Sequence, residues 1–382
     1  MAQDKRIAIV YDWFDKWGGV ERLLLNLHEI LPQAVFFTSY YDDKKANWAK
    51  NLQIKTSFIQ RLPPLIKRNR LLSLPFYPYA FESFDFSAYE TVISVSSSFA
   101  KAIITKPSTF HIGYLLTPTR FLWIQPDIYQ NKLVQGLASG YTRSLCQWDF
   151  VAAQRPDKII SISKTVKDRC QKYYQRESKV VYPPFDIEYW KRIKSQNSNL
   201  KTQNYSLKLK TIENKKYYLV VSRLEPYKRV DLVIKVFNER QNMNLVIVGK
   251  GSLENNLTKM ADDNIYFLKD ISDVELAYLY KRAEGLIMPP EEDFGYVALE
   301  AQFFGCPVIA YGCGGAKETV IDGQTGVFFT NQTEESLLQA LARFNTISYN
   351  LKKTTDFFSE RQVEKFSKKL FEEKFKSILF NI

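Results

Sequence analysis

Cysteine and histidine are scarce in this chain. Cys146, Cys170, Cys306 and Cys313 form no C-x2-C pair, and His28 and His111 are its two imidazoles, so neither a zinc cluster nor a disulfide framework is expected. Long apolar runs are also missing. No stretch approaches the roughly eighteen residues that a membrane span requires, and Met1 to Arg6 carry no apolar segment of the export type. Together these absences point to a cytoplasmic protein. Fifteen glycines and fifteen prolines are too few for a collagen-like or low-complexity chain. One absence is local: between Lys44 and Phe81 stand Lys44, Lys45, Lys50, Lys55, Arg61, Lys67, Arg68 and Arg70, with no Asp or Glu among them.

What is present is enough for two domains, because 382 residues exceed a single core and 45% are hydrophobic. The net charge of +12 favours an anionic partner without choosing among nucleic acid, phospholipid and sugar phosphate. Short apolar runs alternate with helical periodicity, the pattern of strand-helix units feeding parallel sheets. Arg6 to Tyr11, Ala34 to Thr38, Thr91 to Ser96, His111 to Leu115 and Lys158 to Ser163 read as strands of one sheet. Runs beginning at Lys216, Asn244, Asn264, Gly285 and Pro307 read as strands of another. Trp190 to Asn214 is rich in Lys, Ser, Asn and Gln and reads as an exposed linker. The expected organisation is therefore α/β: a Rossmann-like domain over 1–190, a linker or variable loop over 191–214, a second Rossmann-like domain over 215–358, and a C-terminal helix over 359–382 folding back on the first domain.

Four places carry candidate chemistry. Glu292 and Glu300 stand eight residues apart in the run Glu291 to Glu300, just after a strand. A helix from Gly295 to Phe304 would leave Glu292 in the preceding loop and Glu300 about one and a half turns along, with free N–H groups near Phe294 and Gly295. The same spacing serves an acidic helix start favoured by the macrodipole. Arg223 and Lys228 flank Glu225-Pro226 after the first strand of the second half, a planar fork and a point charge suited to a diphosphate; a solvated basic loop has the same composition. Gly18 and Gly19 open a helix striped by Val20, Leu23, Leu24 and Leu27, without the G-x-G-x-x-G spacing of a dinucleotide site. Gly249-Lys250-Gly251 follows another strand and doubles as a tight turn.

In this order, with Gly314-Gly315, Glu318 and Asp322-Gly323-x-Thr325-Gly326 beyond them, these motifs resemble the retaining glycosyltransferases of family four. The resemblance covers nearly the whole chain and is sharpest in the second half; Tyr182-Pro183-Pro184-Phe185-Asp186 is similar to that family's domain junction. It implies the GT-B fold, two Rossmann-like domains facing across a cleft, and a nucleotide diphosphate sugar on the second domain as co-substrate. It implies that Arg223 and Lys228 grip the diphosphate with Gly249 and Lys250 nearby, and that Glu300 receives the ribose hydroxyls. Glu292, with the backbone at Phe294 and Gly295, then holds the transferred sugar, and Gly18 and Gly19 close over the phosphate. The catalytic set so implied is Glu292, Arg223 and Lys228. His111 to Trp123 is similar to a branch that builds bacterial surface polysaccharides, which puts Thr117, Arg120 and Trp123 on the acceptor side and makes GDP-mannose the first donor and a UDP-sugar the second. The chain departs from that branch at Leu116, where related sequences carry a His.

Charge develops on a departing diphosphate, so fixed cations belong there. Arg223 and Lys228 suit this without a metal, and no D-x-D pair is placed to hold one; no metal and no bound cofactor are expected. Two carboxylates alone would suit a glycosidase, but the Arg/Lys pair beside them favours a nucleotide sugar. The acid-free stretch, interleaved with Phe58, Leu62, Leu65, Leu71 and Leu72, suits an anionic membrane surface, or else a helix pair with solvated charges. The acceptor is a glycan or a lipid-linked saccharide on this reading. The alternatives are an epimerase or phosphorylase on the same fold, or a noncatalytic binder of anionic polymer; no nucleic-acid module is present, so nucleic acid is not the expected partner.

Overall fold

The computed structural model describes residues 6–124, 126, 139–199, 209 and 212–380. Two sheets organise them. The first contains β1 (Ile7–Tyr11), β2 (Val35–Thr38), β3 (Ile54–Thr56), β4 (Thr91–Ser96), β5 (Phe110–Leu115), β6 (Lys158–Ser161) and β7 (Lys179–Val180). It is parallel throughout, in the order β3-β2-β1-β4-β5-β6-β7. Every residue of β1 and β4 is buried, which is why these strands read as continuous apolar runs rather than as alternation.

The second sheet contains β8 (Tyr217–Val221), β9 (Asn244–Val248), β10 (Ile265–Leu268), β11 (Leu286–Met288), β12 (Val308–Tyr311) and β13 (Gly326–Phe329), parallel in the order β10-β9-β8-β11-β12-β13. Its core joins Val220, Ile247, Ile287 and Ile309 of the strands to Val233, Phe237, Leu341 and Phe344 of the covering helices. Strands β3, β7 and β13 were not expected. The first two are three and two residues long, too short for a period to show, and all three lie at sheet edges.

Each sheet reverses its strand order once, between β1 and β4 and between β8 and β11. At such a reversal the loops leaving neighbouring strands diverge to opposite faces and open a crevice beyond the strand ends.

The chain divides into one unit of Met1–Pro184 with Phe371–Ile382, and a second of Phe185–Leu370. The expected boundary at residue 190 and the linker from 191 need correction. Ile187–Asn199 is a helix, and its Trp190 and Ile193 are buried, with the Trp190 ring packed edge-on against Phe304. One turn of spacing between two anchors suffices to dock a helix whose other side chains are polar; residues 200–208 and 210–211 lie outside the described residues. The C-terminal segment is not one helix from 359. A helix of the second unit runs Glu334–Glu364, and another follows at Lys368–Leu379. Phe371 and Phe375, four apart on the latter, pack on Tyr114 of β5.

Candidate active site

The second sheet's reversal brings together the loops that leave β8 and β11. After β8, Ser222 to Glu225 lead into a tight turn at Pro226–Lys228, and Arg229 takes a left-handed φ of 51° to start the helix Val230–Asn238. Lys228 Nζ lies 2.6 Å from Glu292 Oε1, with the two side chains only 12% and 23% exposed. The Arg223 guanidinium donates to the Tyr227 hydroxyl. Both cations also approach the Tyr227 ring, at 5.8 and 5.1 Å from its centroid. This is not a loosely solvated basic loop: one cation is paired, and both are held against an aromatic face.

The loop after β11 is shaped by two glycines far along the chain. Gly315 N–H donates to the Glu292 carbonyl at 2.7 Å. Gly314 has φ +69°, and a Cβ there would lie 2.3 Å from the same carbonyl; a side chain would push the loop away. Gly295, at φ +90°, then caps the helix Tyr296–Phe303, as only glycine does without strain. Phe294 turns inward against Tyr296 and Phe366, and its backbone is approached closely by Gly315, where a Cβ would lie 2.5 Å from Phe294 Cα. Glu300 projects from the body of this helix, 4% exposed, and accepts from the Tyr280 hydroxyl at 3.0 Å.

Gly249 and Gly251 seal the loop from β9 onto the loop from β8. A Cβ on Gly249 would lie 1.9 Å from the Ser222 carbonyl, and one on Gly251 would lie 2.3 Å from that of Leu224. Leu224 N–H donates to the Lys250 carbonyl at 2.9 Å. The two glycines are thus accounted for by backbone approach beside Arg223. Lys250 points outward and pairs with Asp270, both more than half exposed. Of the candidates in this unit, Lys228, Glu292, Arg223 and the Gly249–Gly251 turn are gathered by direct contacts, while Glu300 is joined to Tyr280. Tyr227 and Tyr280 were missed, since a tyrosine's role as a prop depends on neighbours that spacing does not reveal.

The first sheet's reversal is organised by a residue the motif reading passed over. Asp12, just after β1, is fully buried and accepts from the N–H groups of Ser97, Phe99 and Ala100 at 2.7–2.8 Å and from Ser97 Oγ at 3.0 Å. It ties the end of β1 to the end of β4 through charge-assisted bonds. Gly18 precedes the helix Gly19–Ile30 with an extended φ of 175°, so what glycine supplies there is closeness: a Cβ would lie 3.1 Å from Glu21 Oε2.

In the segment expected to face the acceptor, Thr117 is buried and its Oγ1 has no hydrogen-bond partner among the described residues. Trp123 donates its indole N–H to Asp149 Oδ2 at 2.8 Å. Asp149 also receives Lys101 Nζ at 2.6 Å, Thr119 Oγ1 at 2.8 Å and the Tyr174 hydroxyl at 2.8 Å, and it is fully buried. A buried ion pair with three further donors therefore holds residues 119–123, a network assembled from positions up to 73 apart that no local pattern announces. Arg120 is half-buried. Leu116, where the resemblance led a His to be expected, is buried at 4% exposure. His111 does not take that place: it lies in β5 with Nε2 2.8 Å from Ser94 Oγ, and burial, with Arg155 and Arg176 adding, pushes its pKa down to about 3. It stays neutral across the physiological range.

Residues 202–356 match the family described as Glycosyl transferases group 1, and they include Arg223, Lys228, Glu292 and Glu300. An uncharacterized glycosyltransferase of Methanocaldococcus jannaschii is 26% identical over 221 residues, 54% of this chain and 56% of that protein. The alpha-1,3/1,6-mannosyltransferase of Dictyostelium discoideum is 28% identical over 237 residues, 54% of this chain and 56% of that protein. The chain thus spans little more than half the length of these curated relatives. HepE of Anabaena, crystallised in complex with UDP, superposes with a TM-score of 0.70 at 15% identity, covering 99% of this chain and 100% of that one. That likeness is one of fold, the GT-B class with two Rossmann-like units. Over residues 202–356, the chain is similar to the group 1 glycosyltransferases.

Proposed function

We propose that the protein transfers a sugar from a nucleoside diphosphate sugar to a hydroxyl of a glycan or lipid-linked saccharide, with retention at the anomeric carbon. The observation that carries this reading is the Lys228–Glu292 pair at 2.6 Å, a cation and a carboxylate side by side at the reversal of a parallel sheet. A departing diphosphate needs the first and a sugar's hydroxyls the second.

In the proposed step, the bond between the anomeric carbon and the phosphate oxygen breaks, and the acceptor oxygen bonds to the same face of that carbon. The acceptor's proton passes to the leaving phosphate oxygen, so no covalent enzyme intermediate is required. Lys228 and Arg223 neutralise the charge that grows on the diphosphate, in place of a metal ion. Glu292 orients the sugar with the backbone at Phe294 and Gly295, and Glu300 receives the ribose hydroxyls. Gly249 and Lys250 border the diphosphate. Gly18 and Gly19 close over the phosphate, and Thr117, Arg120 and Trp123 are assigned to the acceptor side. GDP-mannose is the first donor, supported by the relative named as a mannosyltransferase, and a UDP-sugar the second. The reaction is placed in the cytoplasm, with attachment to the inner face of the membrane from outside the bilayer; among the described residues no helix is long and apolar enough to cross one.

Thermal shift with GDP, UDP, GDP-mannose and UDP-glucose tests this reading, since a ligand at about 100 times its Kd stabilises by about 2.7 kcal/mol. One nucleotide should raise the melting temperature, and Arg223→Met or Lys228→Met should abolish the rise. EDTA should leave transfer intact. The proposal fails if no nucleotide stabilises the protein, or if the stabilisation survives both substitutions.

A further inference from the structure

Between β3 and β4 the chain forms a small helical insertion: a turn at Phe58–Arg61, then helices Pro64–Lys67, Arg70–Ser73 and Tyr77–Glu82. Its inner side is well built, with Ile59, Ser73, Tyr77, Ala80 and Phe81 all at 1% exposure or less. Its outer side is not polar. Phe58, Leu65, Leu71, Leu72 and Tyr79 are 38–74% exposed, and they are five of the nine large apolar side chains exposed among the described residues. An insertion with a complete core has no folding reason to concentrate apolar side chains on its solvent face. Along the insertion itself the charge is of one sign, since no acidic residue lies between Asp43 and Glu82; from outside it, Asp15 pairs with Arg70 and Asp42 acts on Arg68. Arg61 and Arg68 are exposed, and Lys67 is half-buried beside the Gln60 carbonyl.

We infer that this face docks on an anionic lipid bilayer, with the leucines entering the interface and the cations against the headgroups. A second copy of the chain fits the face poorly, because two such cation-rich surfaces repel. Nucleic acid would meet the cations but leave the leucines unburied.

Arg70 is not one of the lipid-facing cations. It pairs with Asp15 at 2.6 Å and lies 4.2 Å over the Trp13 ring, so it fastens the insertion to the loop that leads from β1 to Gly18. Docking would thus bring that loop to the lipid surface. The inference stands on exposure and charge, and its test needs no sugar transfer.

The test is co-sedimentation of the full chain with vesicles of pure phosphatidylcholine and of equimolar phosphatidylcholine and phosphatidylglycerol. The wild type should sediment with the anionic vesicles and not with the neutral ones. Leu71→Ser with Leu72→Ser should lower partitioning by roughly tenfold or more at any salt. Arg61→Gln with Arg68→Gln should lower it about tenfold at low salt and less as salt rises. All four positions are exposed, and matching circular dichroism melts establish that each variant is folded. The inference is overturned if the wild type ignores both vesicles, binds them equally, or binds as well without the leucines. A wild-type dimer that the leucine variant dissociates would assign the face to a second copy and overturn it too.

Discussion

Replacing Glu292 by glutamine should tighten the binding of free UDP or GDP while it slows sugar transfer. In the ligand-free protein the Lys228 ammonium is already engaged by Glu292, 2.6 Å away. A diphosphate arriving without its sugar must share that cation with a carboxylate it repels. The pair is 12% and 23% exposed, between a surface bridge worth about 0–1 kcal/mol and a buried one that costs about 3–5 kcal/mol to break. At an effective dielectric of about 20, two like charges about 5 Å apart repel by roughly 3 kcal/mol. Glutamine removes that repulsion and loses some of the order it imposed on Lys228. A net gain of about 1–2 kcal/mol remains, roughly five- to thirtyfold in Kd. Lys228→Met does the opposite: it removes the attraction and leaves the carboxylate, so binding should weaken by roughly a hundredfold. Isothermal titration of both variants with the preferred nucleotide reads the two signs directly. If Glu292→Gln weakens binding as Lys228→Met does, the carboxylate is not competing for the lysine and the reasoning is wrong.

Glu300→Ala should weaken nucleotide binding by roughly tenfold, the loss of a charge-assisted acceptor, with turnover at saturating donor less affected; an unchanged Kd in a folded variant would remove Glu300 from the ribose. Asp149→Asn should lower the urea midpoint of the first unit by an amount equivalent to about 3–5 kcal/mol, because Lys101, only 4% exposed, would keep its charge without a counterion; a change within about 0.5 kcal/mol would contradict this. His111 has a folded pKa of about 3, set first by burial, against 6.5 when exposed. The unfolded chain therefore takes up a proton between these values and the folded one does not. The contribution is full above pH 6.5 and is lost as pH falls toward 3, on the order of a few kcal/mol. His111→Gln should flatten the acid side of the stability profile, and an unaltered slope would refute the assignment.

Much of the fold was legible because parallel strands buried on both faces must be apolar along their whole length. Ile7–Tyr11 and Thr91–Ser96 show this by themselves. The helix Ile187–Asn199 was read as linker because Trp190 and Ile193 are its buried anchors amid polar residues, too few to raise a periodic signal. Two opposed readings of Arg223 and Lys228 also stood open, a solvated loop and a phosphate grip, since composition is the same in both. Tyr227 beneath the two cations and Glu292 beside Lys228 show only that the side chains are held rather than loosely solvated.

By itself, the sequence determined the two α/β halves, the order of the loops that follow each strand, and the glycines that let those loops touch, because these are consequences of local pattern and backbone geometry. It also set the acid-free stretch from Lys44 to Phe81. Which of those charges are exposed and which are paired was decided only in three dimensions. Arg70 is drawn to Asp15, 55 positions away, and Lys101 to Asp149, 48 away. Electrostatic energy depends on distance and burial, and a sequence states neither until the sheets have brought the loops together.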